Sequence, residues 1–547
     1  MIAKYKDKVI EFESGKRVMD ILKEEIEKSE NPIFACKCNN EVKALNYDIK
    51  EDSQIELIDF TSMEGKRVYI RGLIYIMVMA FNKLYPEIEI TVNYQLHNSM
   101  YCDTAGTKIT DDILKNVINK MKEIVDNNLP IMKIQMTQEE AEKFFEENNI
   151  SNGTLQLEVK SKKDISIYKC EDYYNYFYGV MPISTGYIKK FDLVKYGEGF
   201  LIRYPSRTNP NELTDFVETK KLLSTLEEYS DIHKILGVGT IGKLNKKVRD
   251  GSITDYILLD EALHEKKIAQ IADSVAKDKD VKMVLIAGPS SSGKTTFARK
   301  LGMQLRLNGL KPVTISVDNY FVEREQNPRD EFGNYDFECI EALDLELFNN
   351  HITKLLNGEE IDVPRFDFTE GKKYYDGTKM KLAEDEILVI EGIHCLNDRL
   401  TASIPKNKKY KIYISALTVL NIDSYNRIST TDTRLIRRIV RDNQYRNYSA
   451  LHTLKIWYSV NRGEEKNIFP YQEEADSMFN SSLIYELGVL KDYALPLLKE
   501  IDNSNPEFAE AKRLVTLLSY FESIPEKDIP NTSLIREFIG KGIFDVH

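Results

Sequence analysis

The chain has 547 residues, 42% hydrophobic and 30% charged, too long for one ordinary domain and well able to bury several cores. No run of about 18 apolar residues occurs, which excludes a transmembrane helix, and Met1-Ile2-Ala3-Lys4-Tyr5-Lys6-Asp7 lacks the apolar stretch of a signal peptide. A net charge of −12 argues against duplex nucleic acid as a bulk partner, and six cysteines without a Cys-x-x-Cys pair or metal spacing suit a reducing cytoplasm.

Residues 1–60 read as a small α+β unit. Lys8-Val9-Ile10-Glu11-Phe12 has the pattern of a strand, Glu13 to Lys16 of a turn, and Val18-Met19-Asp20-Ile21-Leu22 opens a helix. Gln54-Ile55-Glu56-Leu57-Ile58 alternates as a closing strand. This pattern resembles the ubiquitin-like TGS domain of threonyl-tRNA synthetases.

From 61 to 225 the resemblance continues into the α+β editing domain of those synthetases. It rests on Gly65 to Arg71, on the apolar helix that ends at Leu84-Tyr85-Pro86, and on Pro182-Ile183-Ser184-Thr185-Gly186-Tyr187. The family's helix carries two histidines four residues apart. Registered on Pro86, those places hold Arg71 and Tyr75; registered on Ser184-Thr185-Gly186, its later Cys and His fall on Phe177 and Met181. Without those side chains no hydrolytic site is expected, and the module reads as a binding or structural one. His97 and Cys102 alone more often serve packing than metal ligation. Tyr173, Tyr174, Tyr176 and Tyr178 could stack on a base or pack a sheet face. Leu213 to Tyr229 is expected to be helical, and 226–269 form a helical connector with no Gly/Ser linker, so packed domains are expected.

The strongest signal begins at 284. Val284-Leu285-Ile286-Ala287 reads as a buried parallel strand and runs into Gly288-Pro289-Ser290-Ser291-Ser292-Gly293-Lys294-Thr295-Thr296, followed by a helical pattern from Phe297. Strand, glycine-rich turn and helix N-terminus together make a phosphate-binding loop. Its backbone N–H groups would cradle phosphate oxygens, Lys294 would lie along the β- and γ-phosphates, and the Thr295 hydroxyl would take a Mg²⁺ position. The expected ligands are a nucleoside triphosphate and Mg²⁺. Val313 to Val317 forms a second strand that delivers Asp318 to the carboxyl edge of the sheet, where ligands bind in open α/β folds. An aspartate there is also a common helix cap; beside a phosphate loop it reads as general base on an attacking hydroxyl, with a possible share in the metal site. Ile387-Leu388-Val389-Ile390-Glu391 is a third strand, placing Glu391 as the carboxylate that holds the metal's water shell. His394 is either catalytic or structural. Arg434, Arg437, Arg438 and Arg441 recur at i, i+3, i+4, i+7 on one helical face. With few acids nearby in sequence, they are expected to form a lid over the transferring phosphate, with Asp432 capping the helix.

These motifs, with Asp318-Asn319-Tyr320-Phe321, Tyr335-Asp336-Phe337, Pro364-Arg365-Phe366-Asp367-Phe368 and Asp432 to Arg438, resemble the uridine kinase/phosphoribulokinase family of P-loop kinases over roughly 270–480. The resemblance implies an α/β P-loop kinase domain with a parallel sheet over 270–500, using ATP to phosphorylate a nucleoside 5′-hydroxyl. It implies catalytic roles for Asp318, Lys294 and Arg438. Nucleotide contacts would come from Gly288 to Thr296 with Arg434, Arg437 and Arg441, and substrate contacts from Tyr320, Tyr335, Asp336, Phe366 and Arg438. Thr295, Glu391 and Asp318 would serve the metal. Uridine kinases read the pyrimidine with a histidine where this chain has Gly371, and a later Arg and Gln correspond to Tyr448 and Ile456, so the acceptor's base is left open. Residues 501–547 read as a helical extension without chemistry. Two other functions stay open: a kinase of another sugar-type alcohol, or an RNA- or ligand-sensing regulator using the loop as a nucleotide switch. Homo-oligomerisation is left open as well.

Overall fold

The computed structural model describes residues 1–147, 165–331, 333, 335–367 and 370–545. Asn334 and Phe368 of the sequence motifs, and residues 148–164, lie outside the described residues.

Five short strands between Ile2 and Asp59 form one mixed sheet. Ser53–Asp59 lies at its centre, parallel to Ile2–Tyr5 and antiparallel to Ile33–Cys38. Helix α1 (Met63–Leu84) follows, its first turn closed by Ser62, whose hydroxyl accepts the Gly65 N–H at 3.0 Å. A nearly continuous buried run, Leu73 to Phe81, marks a helix enclosed on most sides rather than an amphipathic surface helix. It belongs to the core that also takes Val92, Met100, Phe200 and Ile202 from an antiparallel four-stranded sheet. The helix expected from Leu213 begins at Lys220. The Tyr196 hydroxyl takes the Thr219 N–H at 3.1 Å, which leaves the preceding residues in irregular structure.

The C-terminal half is built on five strands: β1 (Met283–Ala287), β2 (Lys311–Ser316), β3 (Glu386–Glu391), β4 (Lys409–Ser415) and β5 (Ser477–Asn480). All pair in parallel, in the order β2-β3-β1-β4-β5. Every residue of β1 is buried, as a central parallel strand covered by helices on both faces requires. The site is framed by α2 (Lys294–Leu307), α3 (Thr430–Arg446), α4 (Ala450–Asn467), α5 (Glu486–Lys499) and α6 (Phe508–Ser519).

The two halves pack directly. Arg67 of α1 forks onto Glu510 of α6 at 2.6 and 3.1 Å. Lys221 donates to the carbonyls of Glu473 and Ala475, while the Glu473 carboxylate accepts the N–H groups of Lys221 and Leu222. No helix among the described residues is long and apolar enough to cross a membrane.

Candidate active site

The register of the parallel sheet assembles the site. Ile286 of β1 lies opposite Glu391 of β3, and Ser316 of β2 lies opposite the same residue. The loop after β1, the end of β3 and Asp318, two residues beyond Ser316, therefore share one carboxyl edge, where open α/β sheets bind their ligands.

The loop has the shape of an anion cradle. Ser291 and Gly293 both adopt left-handed backbone, φ +59° and +85°, a conformation tolerable at Ser291 only because the fold holds it there. Successive N–H groups then turn toward one point at the N-terminus of α2. The hydroxyls of Ser291 and Ser292 are buried without a hydrogen-bond partner, as donors reserved for a ligand would be. Lys294 Nζ donates to the Gly288 and Pro289 carbonyls at 2.9 and 3.2 Å, which holds the ammonium over the loop. The Thr295 hydroxyl lies 3.3 Å from both oxygens of Glu391.

Three carboxylates give the cleft its electrostatics. Asp318 is exposed at this edge, yet partial desolvation by the surrounding protein raises its carboxyl above the ordinary range against the pull of Lys294 and Arg446. Burial pushes Glu391 up to about 7, opposed by Lys294 and helped by Asp318. Glu338 is also pushed to about 7, by burial and then by Glu464, with Arg438 and Lys294 opposing. Glu338 has no role in the sequence reading. Its pattern signal is nil, since it follows the Tyr-Asp-Phe motif in a loop, and the Gly463 backbone of α4 lies beside it.

The segment expected to meet a substrate is a hairpin, Ile361–Asp367 with Lys372–Met380. Phe366 packs on Phe321 with ring centres 5.6 Å apart. Tyr335 lies under the Arg329 guanidinium at 4.3 Å, and Asp336 accepts the Glu338 N–H at 3.1 Å. Tyr320 does not reach the cleft. It is fully buried, its hydroxyl 3.2 Å from His351 Nδ1 and its ring edge-on to Phe348. The substrate contact expected of Tyr320 is therefore corrected to a core position beneath the site, because the helical turn that exposes Asp318 points Tyr320 inward.

The arginine lid is likewise corrected. Arg434 and Arg437 are 1% and 0% exposed. Arg434 pairs with Glu464 of α4 and donates to Ser290 O at 3.0 Å. Arg437 pairs with Glu486 of α5 at 2.6 Å and donates to Ser291 O and Ser481 O. Their acids come from other helices, 30 and 49 residues away in sequence, which local spacing cannot show. They brace the phosphate loop from behind and do not offer free guanidiniums to a triphosphate. Arg438 donates to the Ser290 hydroxyl at 2.8 Å and to Asp442, and Arg441 is held by Asp442. Asp432 does not cap α3. Ser429 does, accepting the Thr431 N–H, while Asp432 binds Arg513 of α6 through two hydrogen bonds. His394 is buried, and burial holds its imidazole down to about 4, hence neutral.

The C-terminal extension, read as chemically silent, reaches the site. Glu537 Oε2 accepts the Thr296 N–H at 3.0 Å, on the first turn of α2, and Leu534 abuts Gly293. Only folding brings these residues, some 240 positions apart, together.

Residues 283–483 match the family model of the Phosphoribulokinase / Uridine kinase family; the C-terminal half carries a domain of this family. The N-terminal region is similar to the threonine–tRNA ligase of Clostridium kluyveri, 31% identical over 190 residues, which is 34% of this chain and 30% of that one. The chain thus spans about a third of the length of the curated relatives it matches. Among solved structures, a possible uridine kinase from Bacillus stearothermophilus aligns over 39% of this chain and 99% of its own, at 18% identity and TM-score 0.25. A D-glycerate 3-kinase from Cryptococcus neoformans aligns over 47% and 87%, at 14% identity and TM-score 0.21.

Proposed function

We propose that the C-terminal half is an ATP- and Mg²⁺-dependent kinase that phosphorylates a hydroxyl of a nucleoside or a related sugar-type alcohol, with Asp318 as general base. The observation that carries this reading is the placement of an anion cradle, a Thr295–Glu391 pair and Asp318 on one sheet edge. The orphaned Ser291 and Ser292 hydroxyls and the left-handed loop fit a triphosphate. Among the described residues no cluster of three or more His, Cys, Asp or Glu is placed to hold a metal ion. Thr295 and Glu391 fit instead the sparse protein share of a magnesium that keeps its waters and phosphate ligands.

Magnesium would supply charge neutralisation on the phosphates when bound. The protein's part is positioning. Loop N–H groups and Lys294 fix the phosphates, Arg434 and Arg437 hold the loop rigid, and Asp318 accepts the proton of the incoming hydroxyl. Its raised carboxyl brings the base closer in pKa to the working pH, which favours proton transfer. A pure nucleotide switch has no use for such a base. At the position where uridine kinases keep their pyrimidine-reading histidine, Gly371 packs against the Arg324 side chain and its carbonyl accepts the Arg324 N–H at 2.9 Å. The reading therefore stops at a hydroxyl acceptor and does not extend to uridine.

The test is ATP consumption by the purified chain with Mg²⁺ across a panel of nucleosides and sugar alcohols, beside Asp318→Asn. One acceptor should be turned over, with kcat lower by at least ~100-fold in the variant. Acceptor-independent hydrolysis alone, unchanged by Asp318→Asn, would remove the general-base role.

A further inference from the structure

A cavity separate from the kinase site lies 100 residues and more in sequence from the phosphate loop. It measures about 690 Å³, within the range of small-molecule sites, and sits where the first domain, α1 and α6 meet. Its walls include three of the four positions that correspond to the synthetases' hydrolytic side chains: Arg71, Phe177 and Met181. The fourth, Tyr75, is spent on the backbone, its hydroxyl donating to the carbonyls of Tyr168 and Tyr173. The hydrolytic groups are replaced, yet the space is not filled.

Its charges are unbalanced. Arg67 and Arg513 are satisfied by Glu510, and Lys43 and Lys512 by Glu41. Arg71 and Lys133 also line the cavity, and neither has an acid partner among the described residues. Arg71 Nη1 donates to Tyr178 O at 3.0 Å, while its Nε is buried with no partner. The guanidinium is held in place. Gly179, at φ +99°, passes so close that a Cβ there would lie 2.3 Å from Arg71 Nη1, so this left-handed glycine makes room for the cation. Arg71 is half-buried, and a cation drawn this far from water without an acid partner is costly unless an anion compensates it. The remaining walls are mostly aromatic and aliphatic, Phe177, Tyr178 and Met181 among them, with a few neutral polar side chains and Glu64, whose carboxylate pairs with Lys37 at 3.6 Å.

One wall connects to the kinase site. Arg513 of α6 donates at 2.8 and 2.6 Å to the two carboxylate oxygens of Asp432, in the first turn of α3. Two residues on, Arg434 holds Ser290 O of the phosphate loop. We propose that this cavity binds a small organic anion, a carboxylate on an aromatic body, and that its occupancy is transmitted through Arg513, Asp432 and α3 to the phosphate loop. The anionic head meets Arg71 and Lys133, and the ring lies against the apolar wall. Binding here is independent of the kinase reading and is measured without nucleotide. The coupling, being thermodynamic, must appear in both directions.

The experiment titrates the full chain calorimetrically with 2-naphthylacetate and with neutral 2-naphthylacetamide, which differ in charge. The acid should bind at least ~10-fold more tightly than the amide. Arg71→Met and Lys133→Met should each weaken the acid by ~10-fold at an unchanged melting midpoint, and Lys294→Ala should leave it unaltered, separating this site from the phosphate loop. Should Arg71→Met fail to fold, Lys133→Met, at an exposed position, carries the test. No binding of the acid, equal binding of acid and amide, or loss in Lys294→Ala overturns the site. In a second titration, saturating 2-naphthylacetate should shift the affinity for ATP by at least ~3-fold, and the shift should vanish in Arg513→Met. Binding without any shift overturns the coupling.

Discussion

Replacing Arg437 with methionine separates the two roles a sequence allows it, lid or brace. The guanidinium is fully buried and makes four contacts: Glu486 at 2.6 Å, Ser481 O at 2.7 Å, and Ser481 Oγ and Ser291 O at 3.3 Å. Methionine recovers part of the packed volume and none of the donors. Glu486 would be left without its cation at 2% side-chain exposure, retaining among the described residues the Ser482 hydroxyl and the Leu483 N–H. Breaking a buried pair from one side costs about 3–5 kcal/mol. At about 2–4 °C per kcal/mol for a domain of this size, the melting midpoint should fall by roughly 10 °C. The chain's single tryptophan, Trp457, reports on this region, because the Arg434 and Arg438 guanidiniums lie 5.6 and 5.9 Å from its ring. Thermal unfolding followed by its fluorescence is the assay. Adding Glu486→Gln to Arg437→Met should recover part of the loss, since the stranded charge is then gone. A variant that melts within ~2 °C of wild type while kcat collapses would refute the brace and restore the lid.

Two further changes test the site's periphery. Glu537→Gln removes a negative charge from the N-terminal turn of α2, where phosphates would accept the same N–H groups; nucleotide affinity, read with a fluorescent ATP analogue, should tighten ~3- to 10-fold, and unchanged or weaker binding would show that Glu537 does not compete. His394 gives a pH signature. Its folded pKa lies near 4, below the ordinary 6.5, so the unfolded chain takes up a proton that the folded chain refuses as pH falls through that window. Stability drawn from the neutral imidazole is intact above pH ~6.5 and declines by about 3 kcal/mol toward pH 4. Urea midpoints for wild type and His394→Gln should converge as pH falls from 7 to 5, and parallel curves would remove His394 as the cause.

What sequence could convey here was whatever is local. A buried strand, a glycine-rich turn and a helix start lie within thirteen consecutive residues, so the phosphate loop was legible from Val284 to Thr296. Asp318 and Glu391 were legible too, because each ends a β-branched apolar run and a strand end fixes where its last side chain goes. The four arginines were visible as a helical stripe, but spacing gives direction without partners. A stripe facing water and a stripe facing buried acids have the same period.

Tertiary structure decided the rest. It sent Tyr320 into the core beside the exposed Asp318, a one-turn difference below the resolution of pattern reading. It brought Glu464, Glu486 and Glu537 to the loop from three later helical segments, turning a presumed lid into a scaffold and a silent tail into part of the site. It also left a cavity where the synthetase-like module lacks its hydrolytic residues, with Arg71 held against Gly179 and paired with no acid among the described residues. Sequence determined which chemical groups the chain owns and which strand ends carry them. Charge pairing and cavity volume are sums over contacts between distant segments, and only the folded chain evaluates them.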